Sequence, residues 1–189
     1  MALDARYPKD VILRDKSRVA LRLMTAADAD AILRFAGTLS PDDLLFLRTD
    51  ISTKEGVAEW LANMAVGNTT AVVATKGDEI LGYVLVSRNA ARWTRRVGEI
   101  RVNIAPNKRG SGLGGALTAE IFEVARSLGL RKLSAQMTPD QKGARAVFEH
   151  LGFQVEALLA DWVEDRQGRT RDLLIMTYDL DGFTGHADE

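Results

Sequence analysis

IAPNKRGSGLGGA, residues 104–116, is the most informative segment of this 189-residue chain. It follows residues 97–104, which read as a strand, and leads into residues 112–128, where apolar side chains recur every three or four positions as in an amphipathic helix. Glycines let successive main-chain N–H groups point the same way, and the helix adds the positive end of its dipole. Lys108 and Arg109 add positive charge. The segment therefore predicts a binding site for a phosphate or diphosphate.

The glycine spacing alone does not identify the anion, because residues 110–115 also match the Gly-x-Gly-x-x-Gly fingerprint of dinucleotide-binding proteins. That fingerprint occurs early in a domain, and an acidic residue closes the next strand. In this chain about half of the residues precede the glycines, and residues 133–137 carry no acid. No Lys-Ser or Lys-Thr pair follows the glycines, so a P-loop is excluded and dinucleotide binding becomes a distant alternative.

The same segment resembles the acyl-CoA signature of the GNAT superfamily of N-acyltransferases. The resemblance lies in Arg-x-x-Gly-x-Gly at residues 109–114, in the preceding Ile-Ala-Pro at residues 104–106, and in residues 144–153, which are similar to the closing helix and Gly-Phe turn of that superfamily. It covers nearly the whole chain and is specific for the fold and for coenzyme A, but not for the acceptor. It implies an α/β (α+β) fold, with a mixed, mostly antiparallel sheet of about seven strands, splayed central strands and flanking helices.

The rest of the pattern favours a single domain over residues 1–180, since no repeat or linker divides it, followed by a flexible tail over residues 181–189. Thr25 and Asp28 form a variant of the capping box that begins a helix. The residues Ser40-Pro41-Asp42-Asp43 open a further helix, and others are predicted at Lys54–Met64 and Ala144–Leu151, the last of them facing the core through Ala144, Val147, Phe148 and Leu151. Further strands are predicted at Val11–Leu13, Val19–Leu23, Ala71–Ala74, Ile80–Val86, Leu133–Met137, Gln154–Leu159 and Arg171–Tyr178.

Composition restricts the chemistry and the location. The chain has no cysteine, which excludes an acyl-cysteine intermediate, so an acceptor would attack the acyl donor directly. The 25 basic and 26 acidic side chains leave a net charge of −1, which predicts no nucleic-acid partner. The apolar runs are too short for a membrane span, and the N-terminus lacks a signal-peptide core, so we expect a cytoplasmic protein without a membrane partner. His150 and His186 lack metal-ligand spacing, so no metal is expected.

The resemblance implies acetyl-CoA as cosubstrate and assigns residues to it. The main-chain amides of the glycine-rich segment would hold the diphosphate; they belong to Arg109, Gly110, Ser111, Gly112, Leu113 and Gly114. The main chain of Val102, Asn103 and Ile104 would bind the pantetheine arm in the manner of an added strand. Gln141 takes the position near that arm where the family often has asparagine.

The resemblance also bears on catalysis. The N–H of Val102 would point at the thioester oxygen as a single oxyanion donor. Glu99 has the spacing of the glutamate base in the bacterial protein-lysine acetyltransferase branch; the alternative is a solvated strand residue that pairs with Arg101 or a neighbouring basic group. Many members carry a tyrosine that protonates the leaving thiolate, and this chain has Phe148 at that position. Another proton source such as water, or unaided departure of the thiolate, would replace it.

We therefore predict an N-acetyltransferase that moves acetyl from acetyl-CoA to a primary amine, either a protein lysine or a small molecule, within a ternary complex. Two alternatives stay open: a non-catalytic acyl-CoA-binding or sensing domain, which would need the glycines but not Glu99, and a nucleotide-binding oxidoreductase. An acidic cluster at Asp161, Glu164 and Asp165 either attracts a cationic amine or forms a solvated turn. The sequence also leaves a homodimer open.

Overall fold

The structure is a computed structural model that describes residues 3–45, 47, 49–89, 93–165 and 167–180, the side chains of Asp4 and Leu45 excepted. The predicted tail, residues 181–189, lies outside the described residues and includes His186. The chain divides into two compact units, the first formed by Met1–Ser87 and Arg101–Ile121, and the second by Arg88–Ile100 and Phe122–Glu189. In the described part of the chain, no helix is long and apolar enough to cross a membrane.

The first unit holds the N-terminal strands and helices, and the second holds the C-terminal ones. The first contains β1 (Lys9–Ile12), β2 (Arg18–Leu23), α1 (Ala29–Ala36), α2 (Pro41–Leu45), α3 (Lys54–Ala65), β3 (Thr69–Lys76) and all but the last residue of β4 (Glu79–Arg88). The second contains β6 (Lys132–Met137), α5 (Lys142–His150), β7 (Gln154–Glu164) and β8 (Thr170–Asp179). Two elements, β5 (Val97–Ile104) and α4 (Leu113–Ser127), contribute residues to both units.

Hydrogen bonding orders the strands β1-β2-β3-β4-β5 in the first unit, and the first three of these pairs are antiparallel. In the second unit the order is β5-β6-β8-β7, with β5 parallel to β6 and β8 antiparallel to both neighbours. The described residues thus form eight strands, mostly antiparallel, which confirms the predicted class; the sequence pattern predicts these eight, whereas the family resemblance implies about seven. The β5–β6 register ends at Glu99 and Ser134, while β5 continues to Ile104, as the predicted splaying requires.

Local signals in the sequence place the first helices correctly. Asp28 accepts a hydrogen bond from the Thr25 N–H at 2.8 Å, and Arg22 donates to both oxygens of the same carboxylate at 2.6 and 2.8 Å. The capping signal at Thr25 is therefore confirmed. α1 then buries Ile32 and Phe35 on one face, because positions three or four residues apart lie on the same side of a helix.

The N-terminal segment is fastened to α4 by one buried carboxylate. The side chain of Glu120 on α4 is 2% exposed and accepts hydrogen bonds from Arg6 at 3.3 Å, from the Tyr7 hydroxyl at 3.1 Å and from Lys9 at 2.8 Å. Burial and the negative charge of Glu120 raise the pKa of the Tyr7 phenol above its usual range. Because a buried carboxylate needs partners, these donors hold the N-terminal segment and α4 in a fixed relation within the first unit.

Two elements of the second unit differ from the sequence prediction, α5 in the side chains that it buries and β7 in its end. α5 buries Phe148, whose ring meets that of Phe153 at 5.0 Å, but Ala144 is exposed and Val147 is 45% exposed. The prediction that all of its apolar residues face the core was therefore wrong, because this nine-residue helix packs mainly through its last turn. β7 continues past the predicted end at Leu159, since register shifts and Asp161, with φ of 49°, interrupt the alternation there.

Candidate functional site

The glycine-rich segment forms a turn that leads directly from β5 into α4, as the sequence predicts. A short 3-10 turn, Pro106–Lys108, follows the strand, and α4 begins at Leu113. Between them Gly110 and Gly112 have φ angles of 77° and 91°. Side chains are disfavoured in this left-handed region, so glycine is required for the path of the main chain.

The first turn of α4 leaves main-chain donors without helical acceptors. The first recorded backbone bond of the helix runs from the Ala116 N–H to the Gly112 carbonyl at 3.1 Å. The N–H groups of Leu113, Gly114 and Gly115 precede this ladder; the Leu113 N–H has only a long contact of 3.4 Å to the Ser111 hydroxyl. A Cβ built on Gly115 would meet nothing within 4 Å, so the space beside this turn is open. Such donors at the positive end of a helix bind anions.

Ser111, one of the predicted cofactor-binding residues, uses its side-chain hydroxyl and its carbonyl in hydrogen bonds to the protein. It is buried, and its hydroxyl donates to the Lys108 carbonyl at 2.6 Å. Its own carbonyl accepts from the Arg14 N–H at 2.9 Å, which joins the β1–β2 turn to the glycine-rich turn. The Ser111 side chain therefore stabilises the turn.

Arg109 is paired with a carboxylate that the sequence analysis did not single out. Its guanidinium donates to the Asp43 carboxylate at 2.6 Å, and the same carboxylate accepts from the Ser40 N–H at 3.0 Å and the Ser40 hydroxyl at 2.7 Å. Partial burial opposes ionisation, but the bonds from Ser40 and Arg109 outweigh it and hold the pKa of Asp43 below its usual value. The capping pattern of Ser40 and Asp43 is visible in the sequence, but the pairing of Asp43 with Arg109 is not.

The end of β5 lies close against β4 in the first unit. The Ala105 N–H donates to the Leu81 carbonyl at 2.9 Å. A Cβ built on Gly82 would lie 2.8 Å from the Asn103 carbonyl oxygen and 2.9 Å from the Ile104 side chain, so glycine is needed at this crossing. The predicted pantetheine-binding residues, Val102, Asn103 and Ile104, are half-buried there.

Asn103 also contacts a buried tyrosine that sequence reasoning missed. Its side-chain amide donates to the Tyr83 hydroxyl at 2.7 Å, and the Tyr83 ring packs against Trp60 and Phe35 at centroid distances of 5.0 and 5.7 Å. Burial raises the pKa of Tyr83 above its usual range. The Tyr83 phenol is therefore protonated at neutral pH.

The remaining predicted site residues lie in the second unit. Glu99 is buried on β5, in register with Ser134 of β6. Gln141 is the residue that precedes α5, and its side-chain oxygen accepts from the Thr138 N–H at 3.2 Å. Among the described residues, no group of three or more histidine, aspartate or glutamate side chains is arranged to hold a metal ion.

Comparison with known proteins identifies the family. The acetyltransferase (GNAT) family matches residues 39–153 of the chain, a span that includes the glycine-rich turn, β5 and the Gly-Phe turn. The chain belongs to the GNAT family. The resemblance inferred from the glycine-rich segment is thereby confirmed, and acetyl transfer to an amine is the activity of this family.

This GNAT chain is similar to proteins from several bacteria. The "Uncharacterized N-acetyltransferase p20" of Bacillus licheniformis is 22% identical over 171 residues, which cover 85% of this chain and 92% of that protein. The crystal structure of the ribosomal-protein-alanine N-acetyltransferase from Brucella melitensis is 26% identical with a TM-score of 0.74, and the match covers 84% of this chain and 98% of that one. The structure of yncA from Salmonella typhimurium with its cofactor acetyl-CoA is 23% identical with a TM-score of 0.73, covering 87% and 95%.

Proposed function

We propose that this GNAT chain transfers an acetyl group from acetyl-CoA to a primary amine, by direct attack of the amine within a ternary complex. The observation that carries the proposal is the glycine-rich turn, in which the N–H groups of Gly114 and Gly115 begin α4 without helical acceptors and the space beside Gly115 is open. The absence of cysteine from the chain supports direct attack, because no acyl-cysteine can form.

The residues of the turn fit a diphosphate. A row of main-chain donors at a helix N-terminus accommodates several anionic oxygens without requiring a particular side chain. Gly112 has a φ of 91°, and a Cβ there would lie 3.0 Å from Arg14, so a side chain would crowd the turn. The half-buried main chain of Val102, Asn103 and Ile104 would bind the pantetheine arm next to this turn. Acetyl-CoA would supply an activated thioester.

Val102 and Glu99 are the proposed catalytic residues, and both lie on β5. The Val102 N–H would donate to the thioester oxygen, where negative charge develops as the amine attacks. Glu99 would take the proton that the acceptor ammonium must lose, directly or through one water. Phe148 cannot protonate the thiolate, so water would do so, or the thiolate would leave unaided, since a thiol with a pKa not far above the cysteine value of about 8.5 is a tolerable leaving group.

The proposed acceptor is either an amine of a protein or a small-molecule amine. The Brucella relative is named for acetylating a ribosomal-protein alanine, and the Glu99 spacing resembles that of protein-lysine acetyltransferases. A protein amine is therefore one acceptor class, and a small-molecule amine is the other.

The test is thiol release from acetyl-CoA across a panel of small amines and lysine-containing peptides, together with acetyl-CoA binding by calorimetry. We expect saturable binding and amine-dependent thiol release with at least one acceptor class. Binding without turnover on any amine would instead favour an acyl-CoA sensor. Tighter binding of NAD than of acetyl-CoA would contradict the proposal altogether.

A further inference from the structure

Three basic residues surround the glycine-rich turn, and they differ in how their charges are balanced. Arg109 is held by Asp43 at 2.6 Å. Lys108 interacts electrostatically with Asp15 of the β1–β2 turn, since its charge helps to lower the pKa of that carboxyl, although hydrogen bonds from Ser17 are the larger cause. Arg14 differs, because its guanidinium has no hydrogen bond or ion pair with any described residue.

Arg14 nevertheless lies directly on the turn. Its N–H donates to the Ser111 carbonyl at 2.9 Å. A Cβ built on Gly112 would lie 3.0 Å from its Cγ and 3.3 Å from its Cδ, so the methylene groups of Arg14 cover the main chain of Gly112. The guanidinium follows Cδ by two bonds and therefore lies within a few ångströms of the turn.

We propose that Arg14 is a phosphate-binding residue of the acyl-donor site, contributed by the β1–β2 turn. The inference rests on the proposed function, because the ligand is the coenzyme A moiety. Two features support it: a guanidinium binds phosphate oxygens well, and Arg14 is a basic residue at this turn without a carboxylate partner in the described structure. The phosphate would be either the diphosphate or the 3′-phosphate of coenzyme A.

The decisive variant is Arg14→Met, which keeps methylene groups over Gly112 but removes the charge. Binding is measured by calorimetry with acetyl-CoA, with 3′-dephospho-acetyl-CoA and with S-acetylpantetheine, which has neither the diphosphate nor the 3′-phosphate. We expect about tenfold weaker binding of acetyl-CoA, the loss of about one charge-assisted hydrogen bond, and unchanged binding of S-acetylpantetheine. Arg14→Lys should recover part of the affinity.

The matched control is Arg18→Met, an exposed arginine on the other arm of the same hairpin, paired with Ile12 in the register. It should bind all three compounds like the wild type. If Arg14→Met weakens the binding of 3′-dephospho-acetyl-CoA as much as it weakens the binding of acetyl-CoA, the partner of Arg14 is the diphosphate. If wild type and variant bind 3′-dephospho-acetyl-CoA equally well, the partner is the 3′-phosphate. Both results support the proposal.

Equal affinity of wild type and Arg14→Met for acetyl-CoA would overturn the role of Arg14 and leave the proposed function intact. A loss of S-acetylpantetheine binding as large as the loss of acetyl-CoA binding would also overturn it, because the variant would then have damaged the fold rather than a phosphate contact. A wild-type chain that binds none of the three compounds would overturn the proposed function and this inference together.

Discussion

Two glycine-containing turns of this chain are rich in charge, and hydrogen bonding distinguishes them. One is the glycine-rich turn between β5 and α4, with Lys108 and Arg109. The other is the β7–β8 turn, residues 165–169, whose described residues include Asp165 and Arg169. From composition alone, either turn is a candidate for binding a charged ligand.

The β7–β8 turn satisfies its own polar groups. The Asp165 carboxylate accepts from the Gln167 N–H at 2.9 Å, from the Arg169 N–H at 3.0 Å and from the Arg169 side chain at 2.8 Å. Asp161 likewise accepts from the Thr170 hydroxyl at 2.8 Å. Two of the three carboxylates that the sequence offered as an attraction for a cationic amine thus hold the ends of β7 and β8, and Asp165 is buried, whereas the alternative was a solvated turn.

The glycine-rich turn satisfies its polar groups only in part, although the N–H groups of Arg109 and Ser111 donate within it over long distances of 3.4 Å. Its N–H groups at Gly114 and Gly115 lie ahead of the helical ladder, and the guanidinium of Arg14 beside it has no hydrogen bond or ion pair with any described residue. The comparison teaches that charge density does not mark a ligand site. Main-chain donors without protein acceptors, here at the start of α4, leave room for an anion, because a folded chain otherwise satisfies the polar groups that it buries or crowds together.

The largest expected effect is on the glycine-rich turn itself. Gly112→Glu should reduce acetyl-CoA affinity at least about 100-fold, because it places a side chain at a φ of 91°, crowds Arg14 at 3.0 Å and adds a negative charge beside an anion site. Calorimetry measures the affinity, and circular dichroism checks the fold.

Gly168→Glu provides the matched control, since Gly168 also has a left-handed φ, of 75°, but lies in the self-satisfied turn. It should lower thermal stability and leave acetyl-CoA affinity unchanged. Gly110→Glu is a second test at the glycine-rich turn, where a Cβ would meet nothing within 4 Å. If both variants in the glycine-rich turn fold and bind acetyl-CoA normally, the turn is not the anion site.

The next effect separates binding from chemistry. Glu99→Gln should leave acetyl-CoA affinity intact and lower turnover about 100-fold near neutral pH, the range expected for loss of a general base. The defect should shrink at high pH, because the acceptor amine then loses its proton without help. The measurements are kcat across pH and acetyl-CoA affinity. The control is Glu149→Gln, which changes an exposed glutamate of α5. Unchanged turnover would remove Glu99 from the mechanism.

The sequence predicts local structure well where each signal is complete within a few residues. The bounds of β5 follow from its apolar pattern, and the start of α1 from Thr25 and Asp28, because strand periodicity and caps are short-range effects. The glycine-rich turn was predicted for the same reason, since its glycines, strand and helix are contiguous.

Contacts between distant segments could not be predicted in this way. Asp43 and Arg109 are 66 residues apart, and no periodicity links Arg14 to Ser111. The exposure of Val147 also depends on which part of α5 meets the aromatic rings of the second unit. The main-chain donors of the glycine-rich turn could therefore be predicted from the sequence. Which basic side chains at the turn are paired with a carboxylate is seen only in the tertiary structure.

A smaller effect tests the self-satisfied turn. Asp165→Asn should lower the midpoint of thermal unfolding by about 5 °C at neutral pH and leave acetyl-CoA affinity unchanged. Hydrogen bonds from Arg169, chiefly from its main chain, hold the pKa of Asp165 below the usual value. The stabilisation is therefore fully present above the pKa of the unfolded state, about 4, and is lost as pH falls through the lower folded pKa.

The difference in the midpoint of thermal unfolding between wild type and Asp165→Asn should accordingly be constant from roughly pH 5 to 8, above the unfolded pKa, and shrink below about pH 4. Thermal unfolding across this range measures it. A difference that grows on acidification would contradict the role of Asp165 as an ionised acceptor, and a loss of acetyl-CoA affinity would contradict the assignment of this turn as structural.

The smallest expected effect concerns the ion pair between Asp43 and Arg109 at the glycine-rich turn. Asp43→Asn removes the carboxylate that competes with phosphate for Arg109, so acetyl-CoA affinity should rise about two- to fivefold, the range of a partly exposed ion pair. Adding Asp43→Asn to the Arg109→Gln variant should leave its acetyl-CoA affinity unchanged, because that variant has no Arg109 guanidinium for the substitution to release. If Asp43→Asn weakens the binding of acetyl-CoA instead, Asp43 does not compete with phosphate for Arg109. It then orients the Arg109 guanidinium toward the phosphate.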